Sequence, residues 1–353
     1  MQSAVHDAVV ELIAEQQAAG EHLGVQVAAR WRGQLIVDVA SGWLDPDRRR
    51  PVNANSLFCC FSVSKALAAR RLWSLIVDRR LDPKQRVAMY WKGFTAPVTV
   101  AEVLTHQAGL HRVPENLDAE FLLDAAAGLS WVAKLLPAWA PGTSSGYHTL
   151  TYGWLVRGLY EAVTGEPLPA VIDHDVFFGL PADQAWRAAT IVESASARGL
   201  SWVGDRAHPA REAMPPAFIP DWNDPRLRAT CQPAFSGWSS ARALAAHVDA
   251  ITPAEYELAR ELYVDGLDRV LELPVRRGLG VELGGRFEGG AVGALGPHER
   301  AFGHGGHGGQ VVVRDPEAEL TIAVLVNLLV DADLAAPRTT TVCELIRGLC
   351  DAY

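Results

Sequence analysis

Apolar and polar positions along this chain repeat with two different periods, and each change of period marks a change of element. Near the start, Val9, Val10, Leu12 and Ile13 interleave with Glu11, Glu15, Gln16 and Gln17 as on an amphipathic helix. Val25 to Trp31 and Leu35 to Val39 then alternate, which predicts two strands joined by a tight turn at Arg32-Gly33. A short strand is expected from Asn53 to Phe58, followed by a helix over residues 65–80 that Asp82-Pro83 ends. From there to about residue 230 the pattern predicts helices and long loops: Val100 to Leu104, Ala119 to Ala127, Trp131 to Leu136, and Leu150 to Val163 with Gly165 as its C-cap. Pro209, Pro215, Pro216, Pro220, Pro225 and Pro233 mark an irregular segment at 205–235. A helix resumes at Ser239 to Ile251. Strands return at Gly278 to Leu283, Ala301 to His304, Gln310 to Arg314 and Leu320 to Leu329, and Asp315-Pro316 turns the last two into a hairpin. A final helix is expected from Thr340 to Leu349.

This order predicts an α+β protein. An antiparallel sheet lobe draws on both chain ends (1–80 and 236–353), and a mainly helical lobe (81–235) is inserted between them. A cleft between two such lobes is the natural place for a site. With 353 residues, 49% hydrophobic, the chain can bury a large core. Its net charge of −9 and the lack of any basic block beyond Arg48-Arg49-Arg50 exclude nucleic acid as an expected partner. The most apolar run, Leu320 to Val330, is too short to span a bilayer, so no membrane role is expected. The first residues lack the basic start of a secretory signal, which predicts a cytoplasmic protein. Five cysteines without pattern read as reduced and inert, with no CxxC pair to suggest a metal. No cofactor is expected.

The chemistry concentrates in Leu57-Phe58-Cys59-Cys60-Phe61-Ser62-Val63-Ser64-Lys65. Ser62 stands at the first turn of the expected helix, where unpaired N–H groups favour negative charge. Lys65, three residues on, shares its face. Only four lysines occur in the chain, while arginine supplies most of the positive charge. Arginine cannot give up its proton in a protein; a desolvated lysine can, and can then activate a serine. The plainer reading makes Ser62 a helix cap and Lys65 a surface residue, and S-x-x-K by itself does not decide between them.

Two further stretches are unusual. In Gly142-Thr143-Ser144-Ser145-Gly146-Tyr147-His148-Thr149, Tyr147 lies in a constrained loop suited to holding a phenol in a cleft. A phenolate stabilised by a nearby ammonium would be a general base; a lobe-interface tyrosine is the alternative. In Phe302-Gly303-His304-Gly305-Gly306-His307-Gly308-Gly309, so many glycines in a strand suggest that another backbone or a ligand comes close. A bare edge strand there would offer N–H groups to an acyl substrate. His304 and His307, three apart, would fall on opposite faces of a strand and have no acidic or cysteine partner nearby, so no metal is expected.

Together these stretches resemble the serine β-lactamase and penicillin-binding-protein superfamily, and within it the esterase-like branch of family eight carboxylesterases and transacylases. Ser62-Val63-Ser64-Lys65, Tyr147-His148-Thr149 and His304-Gly305-Gly306 stand in the order of its three motifs. Leu104-Thr105-His106-Gln107-Ala108-Gly109-Leu110, a Gly237-Trp238-Ser239 turn and Gly278-Leu279-Gly280 support them. The resemblance implies a β-lactamase/transpeptidase-like fold in which Ser62 is acylated and Lys65 and Tyr147 activate it and relay the proton. It also implies an oxyanion hole from the backbone N–H groups of Ser62 and His307, and substrate binding by His304, Gly305, Gly306, Thr149 and Trp238. Two departures matter: Thr149 stands where β-lactamases usually carry asparagine, and His304 where they carry lysine. A largely neutral histidine cannot hold a substrate carboxylate as a lysine does, which favours neutral ester or amide acyl groups.

The expected function is therefore a serine esterase or acyltransferase working on a small-molecule acyl substrate, with a small acyl acceptor as a further partner. A β-lactamase or D-amino-acid peptidase or amidase is the alternative, and a non-catalytic binding protein retaining the fold is the reading from another class. Gly142-Thr143-Ser144-Ser145-Gly146 also fits the G-x-S-x-G nucleophile elbow, but its lead-in, bounded by Pro137 and Pro141, argues against the central strand an elbow needs.

Overall fold

In the computed structural model the described residues are 2–194, 208–215, 220–287, 290, 292–293, 295–330 and 332–352, with 332–334 described by backbone alone. The expected irregular segment at 205–235 lies partly outside them, at 205–207 and 216–219.

Helix α1 (Gln2–Ala18) leads into β1 (Gly24–Trp31) and β2 (Gln34–Gly42), whose turn residues Arg32 and Gly33 both take positive φ, the geometry of a tight hairpin turn. These strands open an antiparallel eight-stranded sheet. Its order runs from β2 and β1 through Leu320–Val326, Gln310–Asp315, Phe302–Gly306, Glu282–Leu283 and Pro274–Arg277 to Val264–Leu267. The strand period of two sorts side chains between two cores. Val25, Val27, Val311, Val313, Ile322 and Val324 pack with α1 residues Val5, Val9 and Ile13 and with Val342 and Ile346 of the C-terminal helix Ala332–Asp351. Ala28, Val312, Ala323 and Leu325 face the other way, into the larger core that holds the helix after Ser62. Val312 is paired with His304, so His304 points to that side as well. The β-lactamase/transpeptidase-like architecture expected from the motifs is the one observed.

The expected strand Asn53 to Phe58 is displaced. Asn53 to Ser56 is a turn closed by the Ser56 N–H on the Asn53 carbonyl at 3.0 Å, and strand β3 is Phe58–Phe61, buried throughout. It pairs with Gly237–Ser239, which continues to a hairpin of Val171–Asp173 and Val176–Phe178. That hairpin lies inside the stretch read as helical, because three-residue strands carry too little periodicity to register. Asp124 ends one expected helix and caps the next, accepting from the Ala127 N–H at 3.0 Å, so Ala119–Leu123 and Ala125–Lys134 replace the two helices expected there. The last expected strand also breaks, at Asn327, whose side chain accepts the Gly24 N–H at 2.8 Å and donates to the Trp43 carbonyl at 3.1 Å. No described helix is long and apolar enough to cross a membrane. Among the free cysteines, burial raises the thiol of Cys59 to about 12 and those of Cys231, Cys343 and Cys350 to about 11, out of reach of thiolate chemistry.

Candidate active site

Strand β3 delivers Ser62 to the N-terminus of helix α2 (Val63–Val77) through a strained joint. Phe61 takes φ +44°, a left-handed backbone costly for an aromatic residue, and such strain costs on the order of 1–3 kcal/mol. Ser64 holds the joint: its Oγ donates to the Phe61 carbonyl at 2.5 Å and accepts the Gly237 N–H at 2.7 Å. The turn breaks the β3 ladder and projects Ser62 into a cavity of about 370 Å³.

Lys65, one turn along α2, is fully buried. Its Nζ donates to Ser62 Oγ at 3.2 Å and to the Ala234 carbonyl at 2.9 Å, and lies 4.7 Å from the centre of the Tyr147 ring. Desolvation of the ammonium, aided by the positive Arg277, pushes its pKa down to about 7, while Glu282 opposes the fall. Tyr147 lines the same cavity as Ser62, and a hydrogen bond with Ser62 works against the rise in its pKa. Its own burial, reinforced by the Glu282 charge, pushes the phenol well above its ordinary value. A phenolate base, one of the sequence-level expectations, is thereby disfavoured: the neutral form of Tyr147 is the stable one, and Lys65 is the group that can stand free of its proton at neutral pH.

Tyr147 is positioned by a buried ion pair. Arg277 Nη1 lies 2.6 Å from Asp268 Oδ2 and donates to Ser145 Oγ at 2.5 Å. Asp268 Oδ1 accepts the backbone N–H groups of Tyr147, Val270 and Leu271 at 3.1, 2.8 and 2.7 Å. Behind the ring, His148 Nε2 accepts the Leu110 N–H at 2.9 Å, which leaves its Nδ1–H to donate to His106 Nδ1 at 3.3 Å. His106 Nδ1 also accepts the His148 N–H at 3.0 Å. Burial holds both imidazoles well below their ordinary pKa, so the pair is neutral. The His106 ring packs 4.8 Å from that of Tyr147.

The glycine-rich strand Phe302–Gly306 forms the opposite wall. A Cβ on Gly306 would meet the Cys60 carbonyl at 2.7 Å, so the glycine lets this strand press against the joint that carries Ser62. The strand ends at Gly306, and the turn closed by the Gly309 N–H on the Gly306 carbonyl (3.0 Å) swings His307 into the cavity beside His304. The expectation that the two histidines face opposite ways fails for that reason. His304 is buried, donates from Nδ1 to the Gly305 carbonyl at 2.5 Å, and is held neutral by burial. Burial also lowers His307, to about 4. The edge of the strand is not bare, since Glu282 Oε2 accepts the Gly305 N–H at 3.1 Å.

Thr149, Gly305 and Gly306 line the cavity, and the Thr149 Oγ1 is buried without a protein partner. Trp238 does not line it. That residue sits in a strand rather than a turn, 1% exposed, with the Arg228 guanidinium 4.6 Å over its ring, and belongs to the core. Ser144, the serine of the alternative elbow, lies in a loop with the Trp139 indole on its carbonyl at 2.9 Å. Residues that sequence reasoning did not single out complete the site: Glu282, Arg277 and Asp268. A lone acid between Val281 and Leu283 in an expected strand was the available signal for Glu282. Asp268 and Arg277 offered none. Most of the remaining lining is apolar, with Phe61 and Phe235 flanking Trp222 at 5.3 and 5.5 Å between ring centres, and Gln310 and Thr339 are its polar members.

A serine presented by a strained joint over a buried lysine, a phenol and a glycine strand define a hydrolase of the β-lactamase fold. This chain belongs to the Beta-lactamase family, whose model matches residues 9–343. It is 32% identical over 344 residues, covering 87% of this chain and 77% of the relative, to "Esterase/beta-lactamase LipL" of Mycobacterium tuberculosis. Among solved structures, it superposes on a penicillin-binding protein homologue from Caulobacter crescentus with TM-score 0.85 and 28% identity, covering 98% of this chain and 97% of that one. A family VIII carboxylesterase aligns with TM-score 0.85 and 25% identity over the same shares.

Proposed function

We propose that the protein is a serine esterase or acyltransferase that works through an acyl-enzyme on Ser62, in a cleft between a sheet lobe (1–80, 236–353) and a helical lobe (81–235). The observation that carries this is the buried Lys65 Nζ, 3.2 Å from Ser62 Oγ with its pKa held near 7. Neutral Lys65 takes the Ser62 proton as Oγ bonds to the substrate carbonyl carbon. The oxyanion that forms is held by the backbone N–H groups of Ser62, at the helix start, and of His307. As the tetrahedral species collapses, the carbon–oxygen bond to the alcohol breaks, and the departing oxygen takes the Lys65 proton relayed through the Tyr147 hydroxyl. Water or an acceptor alcohol or amine then gives a proton to Lys65 along the same path as it bonds to the acyl carbon, after which the carbon–Oγ bond breaks and Ser62 Oγ takes that proton back from Lys65. The apolar wall of Phe61, Trp222 and Phe235 suits a hydrocarbon acyl group.

Lactams and peptides that carry a carboxylate fit less well, because neutral His304 replaces a fixed cation and Glu282 occupies the Gly305 N–H. A non-catalytic binding protein would have no use for a lysine buried against a serine at such cost. The test is a panel of p-nitrophenyl esters with a chromogenic cephalosporin, run on wild type, Ser62→Ala and Ser144→Ala, with intact mass after a fluorophosphonate probe. The expected result is ester hydrolysis and a Ser62 adduct in wild type and Ser144→Ala, both absent from Ser62→Ala. Activity surviving in Ser62→Ala overturns the assignment.

A further inference from the structure

Among the described residues lining the cavity, Glu282 alone has a charged side chain, since His304 and His307 are neutral there. Its placement follows from the sheet. Glu282–Leu283 is only two residues long and pairs with Gly303 and Phe302, so the edge of the glycine strand beyond Gly303 has no neighbouring strand. The Glu282 carboxylate fills that gap on the Gly305 N–H, the kind of backbone donor that a carboxylate on a substrate would otherwise take.

Which half of a substrate meets this charge follows from the proton path. The group that protonates a departing oxygen must touch it, which puts the alcohol, or the incoming acceptor, on the Tyr147 side. Glu282 lies on that side: its carboxylate holds the N–H of Gly305, next to His304, whose ring is 6.3 Å from that of Tyr147. The aromatic group of Phe61, Trp222 and Phe235 forms a separate, uncharged wall for the acyl half. The other charges nearby lie outside the lining: Arg277 is paired with the buried Asp268, and Lys65 lies buried behind Ser62.

We infer that Glu282 makes the alcohol and acceptor side of the site selective for charge, admitting neutral and cationic groups such as amino alcohols and amines and turning away carboxylates. This rests on the esterase or acyltransferase reading above.

The test uses three butyryl thioesters that differ in the charge of the departing thiol: butyrylthiocholine, the isosteric neutral neohexyl thiobutyrate, and S-butyryl thioglycolate. Ratios of kcat/KM cancel any effect of Glu282 on the base. In wild type the cationic ester is expected to exceed the neutral one, and the anionic ester to fall below it. In Glu282→Gln each ratio moves toward unity by about tenfold, the effect of one charge a few ångströms away at intermediate dielectric, and Glu282→Asp keeps the wild-type order. Choline should also inhibit hydrolysis of the neutral ester by wild type more strongly than neohexanol, a comparison that needs no variant. Ratios that do not move in Glu282→Gln, or equal inhibition by the two alcohols, overturn the charge assignment and leave the esterase reading standing. No turnover of any of the three, with no fluorophosphonate adduct on Ser62, overturns both.

Discussion

The carboxylate of Asp268, 121 positions along the chain, accepts the backbone N–H of Tyr147 at 3.1 Å from a fully buried position. With Arg277 beside it, the acid fixes the loop that carries the phenol. Asp268→Asn keeps the size but removes the charge that balances Arg277, and breaking a buried pair typically costs about 3–5 kcal/mol. Chemical denaturation of the variant is expected to show a loss of that order, with kcat on a neutral ester falling in the same protein. Wild-type stability in the variant would mean that the pair does not anchor the loop.

Lys65 must be unprotonated to act. With its pKa near 7, kcat/KM is expected to rise with pH along a one-proton limb that is half complete near pH 7. Glu282 holds that value up by attraction, so Glu282→Gln is expected to move the limb to lower pH. A pH–rate profile whose limb stays put or moves higher in the variant contradicts this electrostatic account.

The same burial makes Lys65 a burden on folding. An unfolded lysine titrates near 10.5 and the folded one near 7. Above 10.5 neither state holds the proton and there is no penalty. As pH falls toward 7 the unfolded chain is protonated first and is favoured; below 7 the penalty is constant. Lys65→Met is therefore expected to be inactive yet more stable by about 2–4 kcal/mol at and below neutral pH, with the gain fading toward pH 10.5. Urea melts at several pH values measure it, and a less stable variant refutes it.

Neighbouring glycines should respond with opposite signs. A Cβ on Gly306 meets the Cys60 carbonyl at 2.7 Å, whereas on Gly305 the nearest such atom, Glu282 Oε2, is 3.7 Å away. Gly306→Ala is expected to lose about 1–3 kcal/mol through overpacking, and Gly305→Ala to keep or gain about 0.4–1 kcal/mol from a stiffer unfolded chain. Thermal melts of the two variants decide it.

Much of this site could be read along the chain because its chemistry is local. Ser62 and Lys65 are one helical turn apart, so spacing alone puts them on one face. The glycines around His304 announced a close approach, and Gly306 makes it. Trp238 misled because a large aromatic beside a glycine looks the same whether it lines a cleft or fills a core. His307 misled because strand alternation was carried past the point where the strand stops.

By itself, the sequence determined the longer helices and strands and the serine–lysine pair, all set by periods of two to four residues, but not the short strands at 171–178 and 264–277. Only the tertiary structure decided the protonation of the site. The fall in the Lys65 pKa and the neutral phenol of Tyr147 arise from burial and from Coulomb forces between groups as far apart in the chain as Lys65 and Glu282. Such forces depend on distance through space, which no local pattern records.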